Sequence, residues 1–317
     1  MDGRLGGRPW RGVGANVCYF QCGMSDSGAM ADWLARCGKA AIFAALLMAS
    51  PALTSPALAQ TVPGAPLILP DVSSKDFDWD VTAGFDYATG SYGAKCAVTV
   101  SLTCTSAGTT VFELPATAMV QIERLRLLLT VPYVDIEGPG QFAGDLGVPV
   151  IVAPTNTEPK HRSGLGDISV GAAYMLLREN SFMPRIELAG TSKLATASGG
   201  LGTGKMDYGA QVNLYRTVLP WITAFGSVGY EWVGDINTVK LHSGADATAG
   251  AQAKFLWLSG GATVNYQQSA WAGAPDYFTL NPYVTWRMLG LVGVSLYGTI
   301  GLTRSSPSQA FGVRFSL

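Results

Sequence analysis

The sequence predicts an all-β protein, a transmembrane antiparallel up-and-down β-barrel of about 12 strands that follows a cleaved N-terminal signal peptide. The first observation is the final segment, in which every second residue from Phe311 to Leu317 is apolar. A chain ending on such a strand leaves an open apolar edge, which a barrel removes by pairing its last strand with its first. The second observation is an export leader, and the third is a series of alternating apolar and polar segments that follows it.

The N-terminal region has the parts of a secretory signal peptide. Arg36 and Lys39 form a basic flank, residues 40–50 form an apolar core, and residues 57–59 read Ala-Leu-Ala before Gln60. The core is too short to span a bilayer, which takes about 20 apolar residues. We therefore predict cleavage before Gln60.

The chain divides into three predicted parts. Residues 1–29 are a start-site artefact or an extension of the leader, residues 30–59 are the signal peptide, and residues 60–317 are the barrel. The barrel region carries 16 Lys+Arg and 19 Asp+Glu, so its net charge is near −3. Nucleic-acid binding is excluded, because a clustered basic surface would be expected for it.

Two of the five cysteines, Cys96 and Cys104, lie in the mature region. An exported protein enters an oxidising compartment in which disulfides persist. We predict that these two cysteines form a disulfide that staples a short extracellular hairpin. The alternative, a redox-active pair, is disfavoured because the sequence has no Cys-x-x-Cys spacing.

Alternating segments predict twelve strands. In the first, aspartates alternate with aromatic and aliphatic residues, and they point into the barrel because carboxylates face lipid only at a high cost. The predicted strands are residues 77–87, 110–120, 124–134, 167–177, 185–194, 207–217, 222–233, 245–254, 258–267, 278–287, 292–302 and 310–317. Short connections alternate with mostly longer ones, which places the short turns in the periplasm and the long loops outside the cell. The longest connection, residues 135–162, is a gate or plug, or else a floppy outer loop.

Aromatic residues near the strand ends predict the two interfacial belts of a membrane barrel. The belt beside the short turns contains Trp79, Trp221, Trp257 and Trp286, and the belt near the loops contains Tyr133, Tyr230 and Trp232. The alternative is ordinary strand aromatics, which are common in any sheet.

The reactive side chains predict no enzyme, no metal site and no cofactor. The mature region has two histidines, His161 and His242, and both lie in predicted loops away from a positioned nucleophile. Residues 199–205 read G-G-L-G-T-G-K and imitate a phosphate-binding loop. However, Met206 occupies the Ser/Thr position and the segment joins two strands, so we predict a hairpin loop.

The inward-facing charged residues sort by sign along the predicted barrel axis. The acids near the extracellular rim are Asp86, Glu113, Asp167, Asp207, Glu231 and Asp246. The bases near the periplasmic end are Arg124, Arg126, Arg185, Lys254, Arg287 and Arg314. A solvated acidic ring at a narrow entrance focuses potential and biases which solutes enter. We also expect Asp78 and Asp80 to meet Arg314 across the closing seam.

Between the two charged sets, the predicted inner wall is more apolar than a general porin needs. Its apolar residues are Met119, Leu128, Met175, Tyr215, Phe225, Tyr283 and Tyr297. Such a wall suits a small, partly apolar solute. The alternative is that these bulky side chains fill a modest barrel.

Several segments of the chain resemble a known family. The segments are residues 129–134 (LTVPYV), 163–177 (SGLGDISVGAAYMLL), 205–217 (KMDYGAQVNLYRT), 224–235 (AFGSVGYEWVGD) and the C-terminal strand. They are similar to the outer-membrane proteins of the phenol meta-degradation pathway (the MetA-pathway phenol degradation family). The resemblance implies an outer-membrane barrel associated with the uptake of aromatic compounds.

The inner wall and this resemblance together lead to a functional expectation. We expect a channel or transporter of the Gram-negative outer membrane that admits small hydrophobic or aromatic solutes by passive diffusion. The expected partners are outer-membrane lipids, the barrel assembly machinery through the C-terminal strand, and a small apolar or aromatic solute. The alternative is a non-conducting structural or surface-interaction barrel whose lumen is filled.

Overall fold

The computed structural model describes residues 77–92, 108–138, 141–144, 149–152, 160–234, 241–270, 274–288 and 292–317. The predicted leader, the cleavage position and the Cys96–Cys104 disulfide lie outside these residues, as does part of the connection 135–162. Within the described part of the chain, no helix is long and apolar enough to cross a membrane.

The strands close into an antiparallel barrel. Their bounds are β1 (Phe77–Gly90), β2 (Thr109–Ile122), β3 (Leu125–Gly138), β4 (Gln141–Gly144), β5 (Pro149–Val152), β6 (Lys160–Leu165), β7 (Ser169–Leu177), β8 (Arg185–Lys193), β9 (Asp207–Leu219), β10 (Ile222–Trp232), β11 (Gly244–Phe255), β12 (Leu258–Gln267), β13 (Tyr277–Met288), β14 (Val292–Gly301) and β15 (Gln309–Ser316). Neighbouring barrel strands pair antiparallel, and β1 pairs with β15 to close the ring. Because β6 and β7 both pair with β3 and share one position, the barrel has 12 strands, which confirms the prediction.

The connection between β3 and β6 contains structure that the sequence pattern did not predict. Strands β4 and β5 form a separate two-stranded sheet within it, and β6 extends the pairing of β3 towards the long loops. These strands are short, and glycine and proline occur within and beside them, so they lack a long alternating pattern.

The predicted fourth strand begins too early, because β7 starts at Ser169 and Asp167 lies between β6 and β7. Here the ladder beside β3 is interrupted at Pro132, which has no N–H group to donate. The Gly166 N–H donates to the Pro132 carbonyl at 2.9 Å. The Asp167 carboxylate instead accepts backbone hydrogen bonds from the loop after β8.

Residues alternate between the two faces of the wall. In β1, Asp80 and Asp86 are 2% and 1% exposed, whereas Trp79 and Val81 are 57% and 44% exposed. The same contrast recurs around the barrel, with large apolar side chains on the outer face and polar or charged ones among the buried inner residues. Soluble proteins bury apolar side chains and expose polar ones, and here the distribution is reversed. This is the pattern of a transmembrane β-barrel, whose outer face contacts lipid.

Polar side chains on the inner face bond to one another across strands. The Asn281 amide donates to the Thr263 and Thr279 hydroxyls at 3.3 and 3.2 Å. The Thr285 and Ser295 hydroxyls lie 2.8 Å apart, close enough for a hydrogen bond. These bonds satisfy polar groups that are buried inside the barrel.

The barrel has a short-turn end and a long-loop end. At the short-turn end, β2 connects to β3, β9 to β10 and β11 to β12 through tight turns. Two aromatic pairs lie on the outer face there, Trp221 with Phe255 at 5.3 Å and Trp257 with Trp286 at 6.0 Å between ring centroids. Tyr230 and Trp232 form a pair at 5.2 Å near the opposite end. These are the positions that interfacial aromatic side chains take in membrane barrels.

Candidate functional site

The inner wall carries a band of apolar and aromatic side chains, which runs from near the short-turn ends of β2, β3 and β10 to the middle of β13 and β14. All seven side chains proposed from the sequence for this band are buried: Met119, Leu128, Met175, Tyr215, Phe225, Tyr283 and Tyr297. Met119 and Leu128 are register partners on β2 and β3 and pack with Ala173 and Ala189. Tyr283 and Tyr297 are register partners on β13 and β14 and pack together. The band therefore spans several strands.

A buried ion-pair cluster, the Glu187 cluster, lies within this band, because Glu187 is the register partner of Met175 and Arg185 is that of Tyr215. The Glu187 carboxylate accepts from Arg126 Nη2 at 2.8 Å and lies 3.3 Å from Arg185 Nε. The Arg185 guanidinium lies 3.9 Å above the Tyr215 ring centroid. Stacking and ion pairing together offset part of the cost of burying Arg126 and partly burying Arg185 beside one carboxylate.

The other predicted bases differ in position. Arg124 lies exposed in the turn between β2 and β3, so it does not line the inner wall. Lys254 is exposed near the end of β11, and Arg287 is half-buried near the end of β13. The predicted basic set is therefore a buried cluster with more exposed residues at the end of the barrel.

Arg314 does not meet Asp78 or Asp80, as the sequence led us to expect. It pairs with Asp86, with Nη2 2.6 Å from Oδ2 and Nη1 2.7 Å from Oδ1. The strand register explains this result, because Gly84 lies opposite Arg314 while Asp80 lies beyond the last residue of β15. Asp80 instead accepts a hydrogen bond from the Thr82 hydroxyl at 2.7 Å.

Two glycines provide space for this ion pair at the closing seam. A Cβ at Gly84 would collide with the Arg314 side chain, and one at Gly312 would collide with Asp86 and Tyr297. The Tyr297 hydroxyl also donates to Asp86. Arg314, Asp86 and Tyr297 thus form one cluster over β15, β1 and β14, which we call the seam cluster.

A second buried lysine-centred cluster lies at the long-loop end. Lys193 Nζ pairs with Asp207 and lies 3.5 Å from Asp167 Oδ2. Asp167 also accepts from the Thr196 and Ala197 backbone N–H groups at 3.0 and 2.8 Å. Asp207 accepts from the Gly234 N–H at 2.8 Å. We call this group the Lys193 cluster.

The remaining rim acids also lie within the wall. Glu231 is 6% exposed and accepts from the Gln267 side chain at 2.7 Å. Glu113 is 1% exposed and lies opposite Asp86 in the register. Asp246 lies opposite Gly229, where a Cβ would meet its carboxylate.

The expectation of a solvated acidic ring needs correction. Asp86, Asp207 and Glu231 are nearly inaccessible, and basic or amide side chains bind them. Arg314 was assigned to the opposite end from Asp86, yet its long side chain reaches that carboxylate. Lys193, a base that lies among these acids, is the centre of a cluster. A sequence signal for the seam cluster is the pair Gly84 and Gly312. In the register, Gly84 lies opposite Arg314, and Gly312 lies opposite Asp86 and Tyr297.

An apolar cluster closes over the inner wall at the long-loop end. It contains Tyr92, Val111, Val134, Ile136 and Leu201, and all five are buried. Val111, Val134 and Ile136 belong to β2 and β3, whereas Tyr92 and Leu201 come from connections. Burial raises the pKa of the Tyr92 hydroxyl, so this group is neutral.

No family model matches the chain, and no curated protein matches it. The fold is similar to the crystal structure of an outer membrane channel from Pseudomonas putida F1, with a TM-score of 0.58 and 11% identity over 75% of this chain and 94% of that chain. The NanC porin gives a TM-score of 0.45 and 8% identity over 75% of this chain and 98% of that chain. The CymD monoaromatic hydrocarbon channel gives a TM-score of 0.41 and 10% identity over 75% of this chain and 86% of that chain. Because scores below 0.5 carry no weight, the first likeness supports the fold, an outer-membrane β-barrel. Membership of the phenol meta-degradation family stays a prediction.

Proposed function

We propose that the protein is a channel of the Gram-negative outer membrane that admits small hydrophobic or aromatic solutes by passive diffusion. The observation that carries this proposal is the band of buried apolar and aromatic side chains on an inner face that is otherwise polar. Ordinary lumen residues of a water-filled pore are polar, so an apolar band favours solutes that shed water readily. The similar Pseudomonas putida protein is an outer membrane channel, which supports the general class.

A second candidate is a non-conducting barrel with a filled lumen. It is favoured by the complete burial of Thr263, Thr279 and Asn281 on the inner face. Packed side chains of this kind resist water and ions. A solute could still pass where the lumen is lined by apolar side chains, because these change rotamer more readily than hydrogen-bonded polar side chains do.

Uptake by intact cells separates the two candidates. We would measure the rate at which N-phenyl-1-naphthylamine, an apolar aromatic dye, enters Gram-negative cells that express the wild type, Leu128→Gln or Phe225→Gln. We expect cells with the wild type to take up the dye several-fold faster than cells that lack the protein (empty cells), and we expect each variant to abolish most of this increase. The control is Asn213→Gln, a polar exchange on the same inner face. A wild-type rate equal to that of empty cells would favour the filled barrel.

A further inference from the structure

The glycine-rich segment between β8 and β9 carries one buried side chain. Of residues 194–206, all of which the structure describes, only Leu201 is buried, and it is 5% exposed. It packs into the apolar cluster with Val111, Val134 and Ile136 of β2 and β3, and β3 is separated from β8 by β7 alone. A loop whose other residues are exposed or half-buried therefore inserts Leu201 into the mouth of the barrel, with Ala197 packed against the same cluster.

The backbone around Leu201 is built from glycine. Gly199, Gly200 and Gly204 have φ angles of +66°, +79° and +66°, a conformation that other residues adopt only under strain. Gly202 lies so close to the Asp167 carboxylate that a Cβ there would collide with it. Glycine lets the segment turn tightly here, and it has the backbone freedom that a displacement of Leu201 would require.

The root of the same loop is fixed. Asp167 binds the N–H groups of Thr196 and Ala197, and Lys193 holds Asp167 in turn. Arg162 Nη1 donates to the Gly200 carbonyl at 3.3 Å, a longer bond at the glycine segment itself. The Leu201 N–H donates to the Ser198 carbonyl, also at 3.3 Å. A root held by short bonds to a buried carboxylate and a glycine-built tip held by longer bonds are the construction of a hinged element.

The apolar cluster that Leu201 joins contains one polar group that the loop leaves unsatisfied. The Tyr92 hydroxyl is buried, and within the described part of the chain it has no hydrogen-bond partner. A buried hydroxyl without a partner is unfavourable, so a molecule that supplied one would gain affinity. The side chains of Val111, Val134 and Ile136 offer apolar contact, and the hydroxyls of Tyr87 and Tyr277 lie near that of Tyr92 without bonding to it.

We propose that Leu201 is a hinged latch that occupies a solute niche at the mouth of the barrel. The niche takes a small solute with an apolar body and one hydrogen-bonding group, which displaces Leu201 and bonds to the Tyr92 hydroxyl. This inference rests on the proposed channel function and names the residues that select solutes for it. It also gives a role to the G-G-L-G-T-G run, which resembles a phosphate-binding loop only in its letters.

Thiol labelling tests the latch without any transport. We would compare Leu201→Cys with Ser198→Cys, an exposed position on the same loop. Each variant is placed in lipid nanodiscs and treated with a polar maleimide, and the labelling of the wild type is subtracted as background. Because labelling of a buried thiol requires local opening, we expect Cys introduced at 201 to react at least about tenfold more slowly than Cys at 198. Equal rates would overturn the latch.

Solute binding tests the niche. The probes are benzyl alcohol and toluene, measured by ligand-observed NMR on the purified barrel. Loss of one hydrogen bond changes affinity by about two- to tenfold, so Tyr92→Phe should reduce the preference for benzyl alcohol over toluene by that factor. Leu201→Ala should strengthen the binding of both probes, whereas Leu188→Ala, on the lipid-facing side of β8, should not. If Leu201→Ala leaves both affinities unchanged, the niche is wrong even where cells take up the dye. If binding shifts as expected and no dye enters, the channel proposal fails instead.

Discussion

The two ends of the inner wall use buried charge in different ways. In the Glu187 cluster, Arg126 of β3 binds Glu187 of β8, so the ion pair joins two strands across β7. In the Lys193 cluster, Asp167 accepts two backbone bonds from a loop while Lys193 holds its carboxylate. The first arrangement fixes the wall, and the second fixes a loop against the wall. Removing one charge should therefore destabilise the whole barrel in the first case and release the loop in the second.

The largest effect is expected for Glu187→Gln. This change leaves the buried Arg126 and the nearby Arg185 without their carboxylate, and breaking a buried ion pair costs about 3–5 kcal/mol. Urea titration of the barrel refolded into vesicles would measure the lower free energy of unfolding. The matched control is Glu123→Gln in an exposed turn, which should change stability by less than about 0.5 kcal/mol. Equal losses would show that the cluster does not fix the wall.

The seam cluster tests whether strand-to-strand pairing also closes the barrel. Gly312→Ala places a methyl group against Asp86 and Tyr297, so it should lower the free energy of unfolding by about 1–3 kcal/mol, as overpacking does. Gly298→Ala is the matched control in β14, because its Cβ would meet only the Ala310 carbonyl at 3.8 Å. The same urea titration applies to both variants. Equal free energies of unfolding for the two variants would contradict close packing at the seam.

The smallest effect on the whole barrel is expected for Lys193→Met. Two buried carboxylates lose their cation, but opening of the loop lets water reach them, so the global loss should be limited to about 1–2 kcal/mol. The local effect should be larger, with trypsin cutting after the exposed Lys205 about tenfold faster. Limited proteolysis of the folded barrel would measure it, with Arg178→Met at the short-turn end as the control. Unchanged cleavage would mean that Lys193 does not hold the loop.

The sequence was sufficient for the strands because their alternation is local. All twelve predicted strands are present, and most of their bounds lie within a few residues of the prediction. The start of β7 was misplaced because the Asp167 carboxylate bonds to residues about 30 positions later in the chain. The charge pairs were harder still, since Asp86 and Arg314 are 228 residues apart and meet only through the closing register. Assigning side chains to an inner face is thus possible from periodicity, whereas assigning their partners requires the register between distant strands.

The central claim is that apolar solutes occupy the apolar band inside the barrel. The most direct measurement is the position of a bromine-labelled aromatic solute, such as 4-bromobenzyl alcohol, in anomalous difference maps of crystals of the purified protein. We predict bromine density on the inner face beside Phe225, Tyr283 or Tyr297, and loss of that density in Phe225→Gln crystals soaked in the same way. Density confined to the outer, lipid-facing wall, or inner density that persists unchanged in the variant, would contradict the claim.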